Sequence, residues 1–181
     1  MNIVQIADFA IDENQSKEIA RLLSVCFPNH KDDYRGRDYF KQLPHHRLLA
    51  YSSGKLIGHL GIDFRVMNLN DKPVRVFGVV DVCVAPENRK TGVATTLLRR
   101  FEEVARDSGR VDFLFLVSNE PGFYERLGYE TTKLRTTWLK LDQHSNFGVA
   151  TEEISDASFL YKSISNAQWN DGELDLLGYM Y

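Results

Sequence analysis

Apolar and polar positions recur along the N-terminal part of this chain with spacings that predict a strand followed by a helix. The alternation from Asn2 to Ala7 predicts a short strand. Asp12 and Gln15 stand three residues apart, the spacing of a capping box, and they predict the start of a helix. Pro28 is expected to end it, because proline lacks the N–H that a helix needs. The predicted buried stripe consists of Ile19, Leu22, Leu23 and Cys26.

The central part of the chain predicts a loop and then a run of antiparallel strands. The polar segment Asn29–Gln42 is interleaved with aromatic residues and predicts a loop with a short second helix. Runs of β-branched residues bounded by Ser, Gly, Asn and Pro then indicate strands and tight turns. The predicted strands are Arg47–Tyr51, Lys55–Leu69 and Val74–Val84, and the predicted turns are Ser52–Gly54 and Asn70–Pro73.

The remaining pattern predicts helices that alternate with strands. Gly109 is expected to end a helix whose apolar face has helical spacing. The wholly apolar run Phe113–Val117 predicts a strand buried on both faces, and a short helix Pro121–Leu127 and a strand Thr131–Leu141 follow. Hairpins mixed with crossover helices indicate the α/β class, with a mixed sheet covered by helices. The apolar face of the longer helix consists of Val93, Leu97, Leu98, Phe101, Val104 and Ala105.

Composition and charge narrow the function classes. The length of 181 residues predicts a single domain over residues 1–181, and a net charge of −3 gives no reason to expect a nucleic-acid partner. No apolar run approaches the ~20 residues of a membrane span, and the N-terminal residues lack the pattern of a secretory signal, so the cytoplasm is the expected location. Cys26 and Cys83 are expected to be small buried residues rather than reactive thiols. The spacing of the five histidines predicts no metal site.

One motif points to anion binding. The β-branched strand ends at Ala85-Pro86, a short loop carries the spacing Arg89-x-x-Gly92-x-Ala94, and a helix begins directly afterwards. A glycine-containing loop that opens a helix presents unpaired backbone N–H groups and the positive end of the helix dipole, which favours phosphate or pyrophosphate. The spacing matches neither an ATP P-loop nor a Rossmann fingerprint.

This motif resembles the [Q/R]-x-x-G-x-[G/A] acyl-CoA-binding motif of the GNAT superfamily of N-acyltransferases. The resemblance implies the GNAT-like acyl-CoA N-acyltransferase fold, in which a mostly antiparallel twisted sheet has splayed central strands and flanking helices. It also implies acetyl-CoA as the acyl donor, and with no metal site predicted from the histidines, no metal is expected. The segment Val82, Cys83 and Val84 would hold the pantetheine arm, through backbone groups of Val82 and Val84. The pyrophosphate would be held by amides of Arg89, Lys90, Thr91, Gly92, Val93, Ala94 and Thr95. The alternative is a tight strand–helix connection that binds no ligand.

A second motif, Phe123-Tyr124 followed by Gly128-Tyr129, resembles the family's F-Y-x-x-x-G-[F/Y] segment. By that resemblance Tyr124 protonates the thiolate that leaves from coenzyme A, and a phenol with a pKa of about 10 is protonated at neutral pH. The alternative is that Tyr124 is only a core aromatic residue. Asn119 is a candidate for a pantetheine contact, although the stretch from Asn119 to Tyr124 is shorter than in many family members.

Two carboxylates are candidates for the base that deprotonates the attacking amine. Asp81 lies in the cofactor strand, where it could instead accept hydrogen bonds from a loop. The ending from Trp169 to Tyr181 resembles the tails of the aminoglycoside 2'-N-acetyltransferase and nodulation-type N-acyltransferase branch. In relatives of that branch the terminal carboxylate accepts the proton, which makes the carboxylate of Tyr181 the second candidate. The alternative for the tail is an edge strand whose last aromatic residue caps the core.

The function implied by these resemblances is transfer of an acetyl group from acetyl-CoA to a primary amine of a small molecule or peptide. The segment Phe27–Phe40 would form a wall of the acceptor cleft, but its charges have both signs. An aminoglycoside is one narrower choice of acceptor. A non-catalytic acyl-CoA-binding or sensor domain is the alternative from another functional class, and a homodimer is left open.

Overall fold

The computed structural model describes residues 1–142, 144–154 and 157–181. Contacts divide the chain into two compact units. Unit 1 comprises residues 1–63 and 80–103, and unit 2 comprises residues 64–79 and 104–181. Two strands and one helix contribute residues to both units, namely β3 (Lys55–Leu69), β4 (Lys72–Val84) and α2 (Val93–Ser108).

Unit 1 contains an antiparallel arrangement of its first three strands. Strand β1 (Asn2–Ala7) pairs with β2 (His46–Ser52), which pairs with β3. The turn between β2 and β3 has φ of 48° at Ser53 and 75° at Gly54. Two consecutive left-handed residues match the right-handed twist of a hairpin, which confirms the predicted turn.

Helix α1 (Glu13–Cys26) packs on these strands through the predicted apolar stripe. The Asp12 carboxylate accepts from the amides of Asn14 and Gln15, and the Gln15 side chain accepts from the amide of Asp12. This confirms the capping box. One buried apolar cluster of unit 1 consists of Ile19, Leu22, Leu23, Tyr34, Leu49, Cys83 and Ala85.

The second helix predicted between Asn29 and Gln42 is wrong. The segment forms a 3₁₀ turn, Pro28–His30, and then isolated turns such as the bond from the Asp33 amide to the His30 carbonyl. Gly36 has φ of 77°, which interrupts any helix. Tertiary contacts of Tyr34 and Asp38 hold the segment instead.

Unit 2 contains a mixed sheet. Parallel pairs join β4 with β5 and β10 with β7, and the other described pairs are antiparallel: β5 with β9, β9 with β6, β3 with β10, and β7 with β8. The predicted class, α/β with a mixed sheet, is confirmed. The elements are β5 (Phe113–Ser118), α3 (Pro121–Glu125), β6 (Glu130–Thr132), β7 (Leu134–Asp142), β8 (Ser145–Glu153), β9 (Ser158–Ser163) and β10 (Gly172–Tyr179).

The C-terminal part differs from the sequence-based predictions in three ways. The strand predicted over Thr131–Leu141 is two strands, because Glu130–Thr132 pairs with β9 whereas the residues from Leu134 onward pair with β10 and β8. Strands β8 and β9 were not predicted. The tail strand β10 is not an edge strand, since it lies between β3 and β7.

The core of unit 2 is aromatic. The Trp169 ring stacks on Tyr161 with centroids 4.7 Å apart and meets Phe113 edge-on at 5.0 Å. The indole N–H of Trp169 donates to the hydroxyl of Thr132 at 2.8 Å, so its polar atom is satisfied inside the core. No helix within the described residues is both long and apolar enough to cross a bilayer.

Candidate active site

The loop that follows β4 has the backbone of an anion cradle. After the 3₁₀ turn Pro86–Asn88, Lys90 has φ of 63° and Gly92 has φ of 89°. A Cβ placed on Gly92 would have no heavy atom within 4 Å, so the face of the loop at this residue is open. A left-handed residue directly before a helix turns successive N–H groups toward one side of the chain.

Helix α2 starts with amides that no helical carbonyl accepts. The first described bond of the helix runs from the amide of Thr96 to the carbonyl of Gly92, at 3.0 Å. The amides of Val93, Ala94 and Thr95 therefore precede the helical ladder and are the donors that an anion would use. Val93 and Leu97 pack over Gly58 of β3, which fixes this end of the helix within unit 1.

The backbone amide of Arg89 already makes a hydrogen bond within the loop. It donates to the carbonyl of Pro86 at 3.3 Å, and its guanidinium Nε donates to the carbonyl of Val84 at 3.3 Å. The hydroxyl of Thr91 donates to the carbonyl of Asn88 at 2.7 Å. Of the amides predicted from Arg89 to Thr95, the first therefore already has a backbone acceptor. The side chain of Lys90 is exposed.

Asp81 interrupts the regular backbone of β4. Its φ is 49°, in the left-handed region that a residue other than glycine adopts rarely. The hydroxyl of Tyr34 donates to Oδ1 of Asp81 at 2.9 Å. Burial raises the pKa of Asp81, and the Tyr34 hydrogen bond and the charges of Arg47, Lys41 and His30 oppose that rise. The sequence left open whether Asp81 accepts a hydrogen bond from a loop or acts as a base. The structure shows the hydrogen bond, from Tyr34, and the raised pKa also makes Asp81 a better proton acceptor.

A buried chain of polar groups supports the Asp81 backbone. Nδ1 of His59 lies 2.8 Å from the carbonyl oxygen of Asp81, and Nε2 of His59 lies 3.2 Å from Nη1 of Arg47. A guanidinium can only donate, so Nε2 of His59 is the acceptor and Nδ1 carries the proton that is donated to Asp81. Burial, and then the charge of Arg47, lower the pKa of His59 to about 3, so the ring is neutral.

Arg47 is neutralised by two carboxylates. Its Nη2 lies 2.7 Å from Oδ1 of Asp8 and 3.4 Å from Oδ1 of Asp38, and its Nη1 donates to the Asp38 carbonyl at 2.7 Å. Asp33 is engaged as well, since it lies 3.2 Å from Nδ1 of His30. Two carboxylates of the segment Phe27–Phe40, those of Asp33 and Asp38, are therefore already paired within unit 1.

The two cysteines differ from one another. Cys83 is buried, as predicted, and a hydrogen bond with Cys26, followed by burial, raises its pKa well above the ordinary value. Cys26 is half-buried, and its thiol donates to the carbonyl of Val84 at 3.3 Å. A hydrogen bond from Cys83, and then Arg89, lower the pKa of Cys26 to about 7 against the effect of burial. A lowered pKa favours the thiolate, so Cys26 fits the expectation of an unreactive thiol less well than Cys83 does.

Tyr124 lies in α3 of unit 2, with 7% of its surface exposed. Burial raises its pKa, and a hydrogen bond from Ser118 opposes that rise, so the phenol is protonated at neutral pH. Its ring meets Phe123 and Tyr129 edge-on at 5.0 and 5.9 Å. Tyr124 is thus a buried core aromatic residue that also keeps a protonated hydroxyl. Asn119 is exposed directly after β5.

The C-terminal residue packs inside unit 2. A bulge after Asp175, with φ of 47° at Leu177, redirects the tail before β10 pairs with β7 again at Tyr179. The ring of Tyr181 then lies on Gly78 and 6.1 Å from the ring of Phe115. The guanidinium of Arg65 stands 4.6 Å from the centroid of the Tyr181 ring, so the side chain of Tyr181 is held from several sides.

Other parts of the described chain add no further site residue to these. A groove of about 1020 Å³ lies in unit 2 where β6 and β7 separate, and none of the residues predicted for the site lines it. Within the described residues, no cluster of three His, Cys, Asp or Glu side chains could hold a metal ion.

Sequence reasoning did not connect Tyr34, Arg47 and His59 with Asp81. They stand 47, 34 and 22 positions before Asp81, and they meet it only through the packing of β2, β3 and the segment after α1. The available signal was weak: an arginine and a histidine at positions otherwise predicted to be buried strand.

Comparisons with known proteins agree with this architecture. The family model described as an acetyltransferase (GNAT) domain matches residues 10–132. No curated protein matches the chain.

Solved structures resemble the fold at low sequence identity. A GCN5-related N-acetyltransferase from Kribbella flavida is 23% identical over 75% of this chain and 34% of its own, with a TM-score of 0.53, so this chain spans only about a third of that protein. The GNAT family N-acetyltransferase YhbS from Escherichia coli, in complex with CoA, is 15% identical over 97% of this chain and 89% of its own, with a TM-score of 0.62.

A third structure is an aminoglycoside 6'-N-acetyltransferase complexed with coenzyme A. It is 13% identical over 93% of this chain and 99% of its own, with a TM-score of 0.63. Because the family model covers more than half of the chain, and the loop after β4 has the family's motif, this chain belongs to the GNAT acetyltransferase family.

Proposed function

We propose that this protein transfers an acetyl group from acetyl-CoA to a primary amine by direct attack in a ternary complex. The observation that carries the proposal is the loop after β4. Left-handed Gly92 with open space around it leads into three helix-initial amides, in the segment that matches the GNAT motif. Such an arrangement binds a diphosphate, which is the most highly charged part of coenzyme A near its pantetheine arm.

In this proposal the amides of Val93, Ala94 and Thr95 bind the diphosphate. Backbone groups of Val82 and Val84 bind the pantetheine arm, with Cys83 between them, and exposed Asn119 is a further candidate for that arm. The complexes of YhbS and of the aminoglycoside 6'-N-acetyltransferase with coenzyme A support the choice of ligand at the level of the shared fold.

The chemistry requires an acid and a base. The amine nitrogen forms a bond to the acetyl carbon, the carbon–sulfur bond breaks, and the thiolate takes a proton from the hydroxyl of Tyr124. The second proton that the nitrogen loses as it becomes an amide restores the Tyr124 hydroxyl. Burial raises the pKa of Tyr124, which keeps that proton available at neutral pH. The attacking amine must first lose a proton to a carboxylate.

Asp81 is the carboxylate we favour as the base. It is held by a hydroxyl and lies in a strand segment with a left-handed residue, and burial raises its pKa, which makes the carboxylate a better proton acceptor. The carboxylate of Tyr181 is the second candidate, supported by the docking of the Tyr181 ring against Gly78 and Phe115.

Release of free thiol from acetyl-CoA, measured against a panel of primary amines, tests the proposal. Turnover with at least one amine is expected, and Tyr124→Phe should lower kcat by about 10²-fold or more with little change in KM for acetyl-CoA. Tyr161→Phe is the matched control, because it also removes a tyrosine hydroxyl from unit 2. Unchanged turnover in Tyr124→Phe for every active amine would show that another group protonates the thiolate.

The same panel separates the alternative functions. A protein that binds coenzyme A but acetylates no amine would be a sensor or binding domain. Aminoglycosides belong in the panel because the tail resembles that of their 2'-N-acetyltransferases. A selectivity for them over simple polyamines would establish the narrower function.

A further inference from the structure

The left-handed conformation of Asp81 is held by two different contacts, one to its side chain and one to its backbone. Left-handed geometry is unfavourable for a residue other than glycine and persists only where the surroundings impose it. The Tyr34 hydroxyl holds Oδ1 of Asp81 at 2.9 Å, and Nδ1 of His59 holds the carbonyl at 2.8 Å. Both the direction of the carboxylate and the peptide that carries it are therefore defined.

Tyr34 is itself fixed in place. It is 3% exposed, and its ring lies 5.8 Å from the ring of Phe27 and 6.0 Å from that of Phe40. Burial and the charge of Asp81 raise the pKa of Tyr34 far above its ordinary value, so the hydroxyl keeps its proton and remains the donor to Asp81. A hydroxyl that keeps its proton and donates it to Oδ1 favours the charged form of the carboxylate.

We propose that Tyr34 is a positioning residue of the transfer reaction: its hydroxyl orients the carboxylate of Asp81 and keeps it ionised, so that the carboxylate can accept the proton of the attacking amine. His59 assists from the other side, because Arg47 fixes its tautomer and thereby the donor to the Asp81 carbonyl. Tyr34 does not take up a proton itself. This role rests on the proposed function, since it requires a reaction in which Asp81 is the base.

Several charged or titratable groups face Asp81 and act together with Tyr34. The positive charges of Arg47 and Lys41 favour the ionised form of Asp81, and His30 does the same when it is protonated. The fourth group is Cys83, whose pKa is raised by the charge of Asp81. Because these remain in a Tyr34→Phe variant, the substitution isolates a single hydrogen bond. The phenyl ring keeps the contacts with Phe27 and Phe40, so the variant should retain the fold.

Two readouts test the proposal. The ¹³C titration of the Asp81 carboxyl carbon, assigned by its loss in Asp81→Asn, reports the pKa of that group without requiring turnover. The pH dependence of kcat/KM reports the group on which the rate depends. In Tyr34→Phe both should move to higher pH by about one unit, since a hydrogen bond to a charged group stabilises it by roughly that amount. Below the acidic limb, kcat/KM should fall by about tenfold, and the high-pH plateau should be unchanged.

Tyr161→Phe is the matched control, because it removes a hydroxyl that donates to the carboxylate of Glu130 at 3.0 Å in the other unit. It should move neither readout. The role assigned to Tyr34 would be overturned if Tyr161→Phe produced an equal shift. It would also be overturned if the Asp81 titration moved in Tyr34→Phe while the acidic limb of kcat/KM stayed in place. In the unsubstituted protein, an acidic limb that does not coincide with the Asp81 titration would overturn it as well.

The failure of the proposed function looks different. An unsubstituted protein that turns over no amine would refute the reaction and with it Tyr34's part in it, although the Asp81 titration would still show the hydrogen bond.

Discussion

The ring of Tyr181 lies directly on Gly78, so closely that a Cβ at residue 78 would overlap the ring. Gly78 stands opposite Phe115 in the parallel pairing of β4 with β5, and the ring of Phe115 also meets Tyr181. The absence of a side chain at residue 78 is therefore what allows the C-terminal residue to pack on β4.

The first prediction concerns this contact. Gly78→Ala should displace the Tyr181 ring and lower the free energy of unfolding by about 1–3 kcal/mol, as overpacking of a core does. Thermal or urea unfolding measures the change. Gly122→Ala is the control, because a Cβ there meets only Nη1 of Arg126 at 3.9 Å.

The same variant separates the two candidate bases. If Asp81 is the base, the acidic limb of the pH profile of kcat/KM should be kept in two altered proteins. They are Gly78→Ala and a chain that lacks Met180 and Tyr181. Loss of that limb in both proteins would instead identify the terminal carboxylate as the proton acceptor.

A second prediction follows from the neutral, buried ring of His59. Its pKa is lowered from 6.5 to about 3, so between these values the unfolded chain binds a proton that the folded protein does not. This group's contribution to stability is therefore retained above about pH 6.5 and lost as the pH falls toward about 3. The slope approaches 1.4 kcal/mol per pH unit.

Comparison with His59→Asn isolates that contribution from those of the carboxylates. The amide nitrogen of asparagine can take the place of Nδ1 as donor to the Asp81 carbonyl but does not titrate. Between pH 6.5 and 4, the free energy of unfolding should fall less steeply in the variant. Parallel curves for the two proteins would show that His59 is not buried in its neutral form.

A third prediction concerns the two thiols. Iodoacetamide should modify Cys26 and leave Cys83 untouched, because only Cys26 is partly exposed and has a pKa lowered to about 7. Peptide mass spectrometry locates the adduct, and the rate should be half-maximal near pH 7. Cys26→Ser should abolish labelling. Half-maximal labelling near the ordinary value of 9.0 would show that Cys83 and Arg89 do not stabilise the thiolate.

Much of the local structure could be predicted from the sequence, for reasons visible in particular residues. Asp12 and Gln15 form their capping box within four residues, and β3 spans the predicted range because its turns are encoded next to it. The loop at Gly92 was predictable on the same ground, since a helix start and a glycine are both local signals.

Contacts between distant positions could not be predicted. The buried polar chain from Asp8 through Arg47 and His59 to Asp81 depends on how three strands pack, and no spacing within the sequence encodes it. The break at Lys133 likewise arises because the residues before and after it, in one continuous strand pattern, pair with different strands. Tertiary pairing outweighed the continuous strand pattern there.

Binding of coenzyme A, measured by isothermal titration calorimetry, tests the central claim most directly. The folded protein should bind it at a single site. Gly92→Ala should weaken binding about tenfold, because alanine is strained at φ of 89° and its methyl group enters the open face of the loop. Gly54→Ala, which introduces comparable strain at φ of 75° in a turn with equally open surroundings, should bind as the parent does. A folded parent protein that shows no binding of coenzyme A or acetyl-CoA would contradict the account.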